Sequence, residues 1–314
     1  MIEAQRRLLA DSVRNQAFAD AIAAVVRPGM RVADLGAGTG FLSLLAARQG
    51  ARVTAYEQHP GLAGLARDII HANRGNRAAS PKNAIRLVTS FSHAVADPEP
   101  ADVVIAEVLG NYCLEEHLIE TMGDGRRFLR RGGVMMPSAV RMFVCPVVGA
   151  RVQESVDTWQ VGFGLDFSTA RRVGLNNLYV RTVPASDLLG GGAAAQSYDS
   201  ATFPGDESSR RTGSVDFALA SATTIHGLTC WWEADLAPGI TLSTSPLAPH
   251  THWEQIYLPL LKPVVAKRGD TVVVTIASDT RLDAGCVLTW ETCHRRGGKV
   301  LERQKLDNLA GFLG

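Results

Sequence analysis

One strand-to-helix turn restricts this chain more than any other feature. Val32-Ala33-Asp34-Leu35 is a short apolar run that ends in Gly36, Gly38 and Gly40, and helical spacing resumes at Phe41-Leu42. Glycine allows backbone torsions and a closeness of approach that a side chain would block. The turn also opens a helix N-terminus toward whatever lies above it. Such a unit belongs in a layered α/β fold, because a lone strand and its helix cannot bury their apolar faces alone.

The flanking sequence supplies the layers. Residues 31–35, 51–56, 84–88, 101–107 and 132–137 are strand candidates, and helical spacing occupies 16–26, 41–50, 60–75 and 114–129. This alternation predicts a parallel sheet with helices on both faces. After Pro137 the texture changes to short strand-like runs, among them VRMFVCPVV, LTCWWEA, TVVVTIA and CVLTWETC. Gly297-Gly298, flanked by two such runs, is a hairpin signal. The second half therefore predicts an antiparallel barrel or sandwich. A partly helical segment, 157–181, sits inside it, and 185–213 is the most loop-like stretch. The 314 residues divide as 1–137 and 138–314, near the usual size per domain.

Composition narrows the function. Lys and Arg total 32 against 31 Asp and Glu, a net charge of +1, so no basic footprint for nucleic acid is expected. No apolar run is long enough for a membrane helix, and the charged N-terminus has no apolar core of a secretory signal. Five scattered cysteines without a CxxC pair suggest reduced thiols in a cytoplasmic protein. The histidines give no complete metal-ligand set, so no metal is expected.

The glycine turn resembles that of class I S-adenosylmethionine-dependent methyltransferases. Its third glycine comes one residue sooner than in the dinucleotide fingerprint GxGxxG. Glu57 ends the second strand candidate, and its two oxygens suit the two ribose hydroxyls of such a cofactor.

A second constellation lies at the end of the fourth strand candidate. Glu107 and Glu116 are nine residues apart, and on one continuous helix nine steps of about 100° would place them on opposite faces. They converge only if the chain turns between them, and Gly110-Asn111 is a plausible turn. Two convergent carboxylates beside a cofactor pocket make a clamp for a planar guanidinium, which binds carboxylates in bidentate fashion.

With these residues in order, the chain resembles the protein arginine methyltransferases. Residues 106–118 resemble that family's double-glutamate loop, and Thr251-His252-Trp253 its Thr-His-Trp loop. Asp11-Ser12-Val13-Arg14 resembles the N-terminal segment in which an Asp pairs with that His and an Arg holds the cofactor carboxylate. RRGGVMMP resembles the link into the family's β-barrel, and FGLDFSTARRV its helical dimerisation arm. The likeness is colinear from Leu8 onward.

The resemblance implies a Rossmann-like class I methyltransferase domain followed by an antiparallel β-barrel with an inserted dimerisation arm at 157–181. It implies S-adenosyl-L-methionine as cofactor, S-adenosyl-L-homocysteine as product, a guanidino substrate and a homodimer. Glu107, Glu116, His252 and Asp11 fall on catalytic positions. Arg14, Asp34, Gly36, Gly38, Gly40, Glu57 and His93 fall on cofactor positions, and Trp253 beside Glu107 and Glu116 on the substrate side. His252 has two readings, a structural bond between the domains and a proton acceptor.

Several positions depart from the family. His93 stands where a glutamate meets the adenine amino group. Leu8 and Leu118 replace two pocket methionines, and Asn111 follows Gly110 where an aromatic is common. The family usually has a longer N-terminal helix with two tyrosines that closes over the cofactor, and the sequence is expected to begin after it. That expectation and the near-neutral charge tilt the reading toward free L-arginine or a related guanidine, with arginyl proteins as the alternative. A nucleic-acid methyltransferase would carry an Asn-Pro-Pro-aromatic turn where Glu107-Val108-Leu109-Gly110 stands. A non-catalytic cofactor-binding scaffold would have no need of the paired glutamates.

Overall fold

The computed structural model describes residues 2–73 and 84–312. Two helices open the chain, α1 (Ile2–Ala10) and α2 (Ser12–Val25). Asp11 caps α2, its carboxylate accepting from the Arg14 amide at 2.9 Å. Phe18, Ala21 and Ile22, at helical spacing, are its buried face. The next elements are β1 (Arg31–Leu35), α3 (Phe41–Arg48), β2 (Arg52–Tyr56), α4 (Pro60–Ala72) and β3 (Ile85–Val88). They are followed by β4 (Ala101–Ala106), α5 (Leu118–Gly125) and β5 (Leu129–Met136). The last two residues of the 60–75 helix candidate lie outside the described residues.

The five strands pair in parallel in the order β3-β2-β1-β4-β5. β1 and β4 are buried along nearly their whole length, as parallel strands covered on both faces are. The order reverses between β1 and β4, and open α/β sheets bind ligands in the crevice above that switch point.

The antiparallel half begins two residues after the parallel sheet. Its elements are β6 (Ala139–Val147), α6 (Arg151–Val156), α7 (Ser168–Leu175), β7 (Tyr179–Arg181), β8 (Gln196–Thr202) and β9 (Arg210–Ala218). Then come β10 (Thr223–Ala237), β11 (Ile240–Ser243), β12 (Gln255–Ala266), β13 (Thr271–Asp279), β14 (Val287–Arg296) and β15 (Lys299–Asp307). One sheet runs β7-β12-β10-β6-β8, with β11 beside β10, and the other β15-β14-β13-β9. The two close on each other as a barrel-like sandwich. Gly297-Gly298 is the two-residue turn between β14 and β15.

The 157–181 segment is partly helical, as expected, at α7, and its end, β7, is a strand paired with β12. Two expectations are corrected here. The loop-like 185–213 contains all of β8 and the start of β9; β8 buries only Tyr198 and Ala201 along QSYDSAT, a polar edge strand that composition disguises. The 114–129 helix starts only at Leu118, so Glu115 and Glu116 lie in a turn before it.

One continuous apolar cluster runs through both halves, from Phe18, Ile105 and Leu118 to Trp232, Ile256 and Trp290. Helix α2 packs against β10 and β11 as well as α3, which ties the N-terminal segment to the barrel. The five cysteines are unpaired. No described helix is long and apolar enough to cross a membrane.

Candidate active site

Above the β1/β4 switch point lies a cavity of about 460 Å³. Its floor is the glycine turn. Gly36, Gly38 and Gly40 have φ of 75°, 56° and 79°, left-handed values that glycine tolerates and side chains resist. The Gly38 amide donates to the Glu57 carboxylate at 2.9 Å, and the His59 amide to its other oxygen at 2.7 Å. Each oxygen keeps a second lone pair for a ligand hydroxyl. Beneath, Asp34 is buried and accepts from the Ser43 hydroxyl at 2.5 Å. Burial pushes its pKa up to about 6, against the Ser43 bonds, and the charges of Glu107 and Glu57 add to the rise.

The cavity wall opposite Glu57 is the segment after β4. Glu107 is its first residue, and the chain turns at Gly110-Asn111, so Glu116 returns to the same cavity. The turn is held from the barrel side: Trp253 Nε1 donates to the Leu109 carbonyl at 2.7 Å and Trp232 Nε1 to the Gly110 carbonyl at 2.9 Å. Both rings are buried and meet edge to face at 5.0 Å. Glu115 fills the inside of the turn and accepts from the Asn111 amide at 2.7 Å. A Cβ at residue 110 would lie 2.1 Å from Glu115 Cγ, so only glycine fits. The Asn111 side chain in turn accepts from the Glu254 amide at 2.9 Å, a second stitch to the barrel.

The two glutamates have opposite environments. Glu107 is nearly buried and paired with Arg14, whose Nε and Nη2 both donate to Oε2, while Arg14 Nη1 donates to Asn15. Glu116 makes no hydrogen bond among the described residues and faces the open cavity. Protein mass around it, together with the charges of Glu107 and Glu115, pushes its pKa up to about 7. Solvent still reaches the side chain through the cavity mouth.

Asp11 and His252 link the N-terminal segment to the barrel. Asp11 Oδ2 accepts from the His252 amide at 2.7 Å and lies 2.8 Å from Nδ1. Burial raises the Asp11 pKa, but hydrogen bonds from Arg14 and His252 outweigh it and hold the group below the usual carboxylate range. Burial likewise holds His252 low, with Asp11 opposing. An ionised Asp11 fixes the proton on Nδ1 and leaves Nε2 of the neutral ring with a lone pair.

Arg14, Asp34, Gly36, Gly38, Glu57, Glu107, Glu116, His252 and Trp253 all line the cavity. Gly40 caps α3 just behind it, and Asp11 lines the neighbouring pocket. His93 is not among the lining residues: it stacks on Phe91 at 4.4 Å and lies 3.6 Å from Asp124. Leu8 lines the cavity, whereas Leu118 is buried at the start of α5. The sequence did not announce Trp232 or Glu115, although each stands beside a singled-out or identical residue. Nor did it announce α1, which supplies Gln5, Arg7 and Leu9 to the wall and has no buried residue.

A diol acceptor at Glu57, a glycine floor that side chains would fill and a clamp for a cation fit S-adenosylmethionine beside a guanidinium. Fold and site together define a class I methyltransferase domain joined to a β-barrel. Residues 138–291 match the arginine methyltransferase oligomerization subdomain. An arginine N(omega)-methyltransferase of Streptomyces achromogenes is 31% identical over 282 residues, covering 86% of this chain and 74% of the relative. Protein arginine N-methyltransferase 6 of Xenopus tropicalis is 27% identical, covering 86% and 82%. Among solved structures, the Trypanosoma brucei PRMT1 enzyme–prozyme complex superimposes with a TM-score of 0.83 at 23% identity, over 97% of each chain. Arabidopsis thaliana protein arginine methyltransferase 10 does so at 0.80 and 20% identity, over 98% of each. The chain belongs to the arginine methyltransferase family and is an S-adenosylmethionine-dependent arginine N-methyltransferase.

Proposed function

We propose that this enzyme methylates a guanidino nitrogen of free L-arginine or a closely related small guanidine. The observation that carries the chemistry is the convergence of Glu107 and Glu116 on the cavity floored by the glycine turn and Glu57. A guanidinium is a poor nucleophile, because its lone pairs are delocalised and its pKa exceeds about 12. Glu107 and Glu116 hold it in a fork and draw positive charge onto the nitrogens they contact, which leaves the remaining nitrogen richer in electrons. S-adenosylmethionine, when bound, supplies an electrophilic sulfonium methyl and leaves as S-adenosylhomocysteine. Glu57 and the glycine amides hold its ribose side, and Arg14 faces its carboxylate. Most of the rate comes from fixing the two reactants in line. The proton lost from the guanidinium passes to Glu116, whose pKa is pushed up to about 7, or to Nε2 of His252, whose ring burial keeps neutral while Asp11 holds the proton on Nδ1.

Two facts support the small substrate. A net charge of +1 gives no broad acidic field to steer arginine-rich tails. The relative from Streptomyces is named for arginine itself. The relative from Xenopus is named for protein arginine and is as extensively similar, which favours arginyl proteins as the second reading. The test is a methyl-transfer assay read by mass spectrometry, with free L-arginine and an arginine–glycine-rich peptide in parallel. Methylation of the free amino acid alone supports the proposal; methylation of the peptide alone overturns the substrate assignment.

The segment between α6 and α7 supports a homodimer. Val161, Phe163, Leu165 and Phe167 are exposed there, and Phe163, between Gly162 and Gly164, is 95% accessible. An apolar tip of this kind is suited to docking on a second copy.

A further inference from the structure

We infer that Arg7 and Glu254 form a zwitterion-recognising mouth to the active-site cavity, taking the α-carboxylate and α-ammonium groups of a free amino-acid substrate. This rests on the free-arginine reading above. Past His252 the cavity adjoins a second pocket of about 370 Å³, lined in part by Arg6, Arg7, His250 and Glu254. Arg7 and His252 line both spaces, so they mark the junction.

The charges at this mouth divide into used and unused. Arg6 is engaged by Glu3, with Nε at 2.8 Å. Asp11 is engaged by Arg14 and His252. Arg7 makes one long bond, from Nη2 to the His252 carbonyl at 3.4 Å, and pairs with no carboxylate among the described residues. The Glu254 carboxylate accepts only the Thr182 hydroxyl, at 3.1 Å. A cation and an anion thus line one pocket without pairing with each other, an arrangement complementary to a zwitterion.

Both groups are placed relative to the catalytic loop. Arg7 is joined to His252, and the Glu254 amide is joined through Asn111 to the turn that positions Glu107 and Glu116. A guanidinium on the two glutamates would send its apolar stem past His252 and Trp253 and present its charged end to the mouth. An arginyl residue inside a peptide has neither terminal charge and would leave both Arg7 and Glu254 unused.

The test measures kcat/KM for L-arginine, agmatine (no carboxylate) and 4-guanidinobutyrate (no ammonium). It compares wild type, Arg7→Ala, Arg7→Lys and Glu254→Gln, with melting temperature and cofactor binding followed in each. Arg7→Ala is expected to lower the preference for L-arginine over agmatine by about tenfold or more, mainly through KM. Arg7→Lys should restore part of it. Glu254→Gln is expected to lower the preference for L-arginine over 4-guanidinobutyrate instead. If every substrate shifts in parallel in both alanine and glutamine variants, the inference is overturned while the free-arginine reading stands. If wild type methylates only the peptide, the reading itself fails, and the inference with it, before any variant is compared.

Discussion

Glu107→Gln and Glu116→Gln should both abolish turnover, yet they should differ sharply in stability. Glu107 and Arg14 side chains are 7% and 6% accessible, and two guanidinium nitrogens converge on one carboxylate oxygen. Removing one charge of such a pair strands the other in a poorly solvated place, which typically costs about 3 kcal/mol. For a chain of this size that corresponds to a fall of about 6 °C or more in melting temperature. Glu116 has no partner to strand and its ionised form is disfavoured, so Glu116→Gln should stay within about 2 °C of wild type. The pH dependence sharpens the contrast. The folded-state pKa of Glu116, about 7, lies above the unfolded value of about 4.3. Between these values the folded state holds more protons, so this group's contribution to stability falls as pH rises through that window. Glu116→Gln removes that slope, a small one because solvent reaches the side chain. Differential scanning fluorimetry at pH 5 and pH 8 on the three proteins reads both effects. A Glu107→Gln variant that melts with wild type would refute the buried-pair reasoning.

Two other outcomes follow from the same structure. On the proposed clamp, guanidinium binding needs Glu116 ionised, so kcat/KM should rise with pH through about 7 and then level, and isothermal titration near pH 6.5 should show proton release on guanidine binding; a flat profile from pH 6 to 8 contradicts this. Phe163→Ser, at the exposed tip between α6 and α7, should shift the oligomer to monomer in light scattering without lowering the melting temperature of the monomer, and an unchanged mass excludes this tip as the docking element.

Much of the cofactor half was legible because its elements are local. A parallel strand covered on both faces must be apolar along its length, and its helix must carry periodic apolar residues, so 31–35 and 101–107 fall within a residue of β1 and β4. The antiparallel half was harder. QSYDSAT forms β8 because its backbone pairs with β6, and its side chains do not reveal that partner. The same limit hid the start of α5. Leu114 to His117 has helical composition, but the Trp232 and Trp253 anchors and Glu115 inside the turn hold those residues out of the helix.

The sequence by itself determined the glycine turn, the alternation of strand and helix, the acid at Glu57 and the spacing of Glu107 and Glu116. Each follows from chain-local rules of torsion, periodicity and residue chemistry. Only the tertiary structure decided that the two glutamates share a cavity, that Glu107 is paired with Arg14 while Glu116 is open, and that α1 closes one wall. These depend on contacts such as Trp232 to Gly110, 122 positions apart, and Asp11 to His252, 241 apart. A carboxylate's charge state is set by what surrounds it in space, and at these separations one-dimensional spacing carries no record of that.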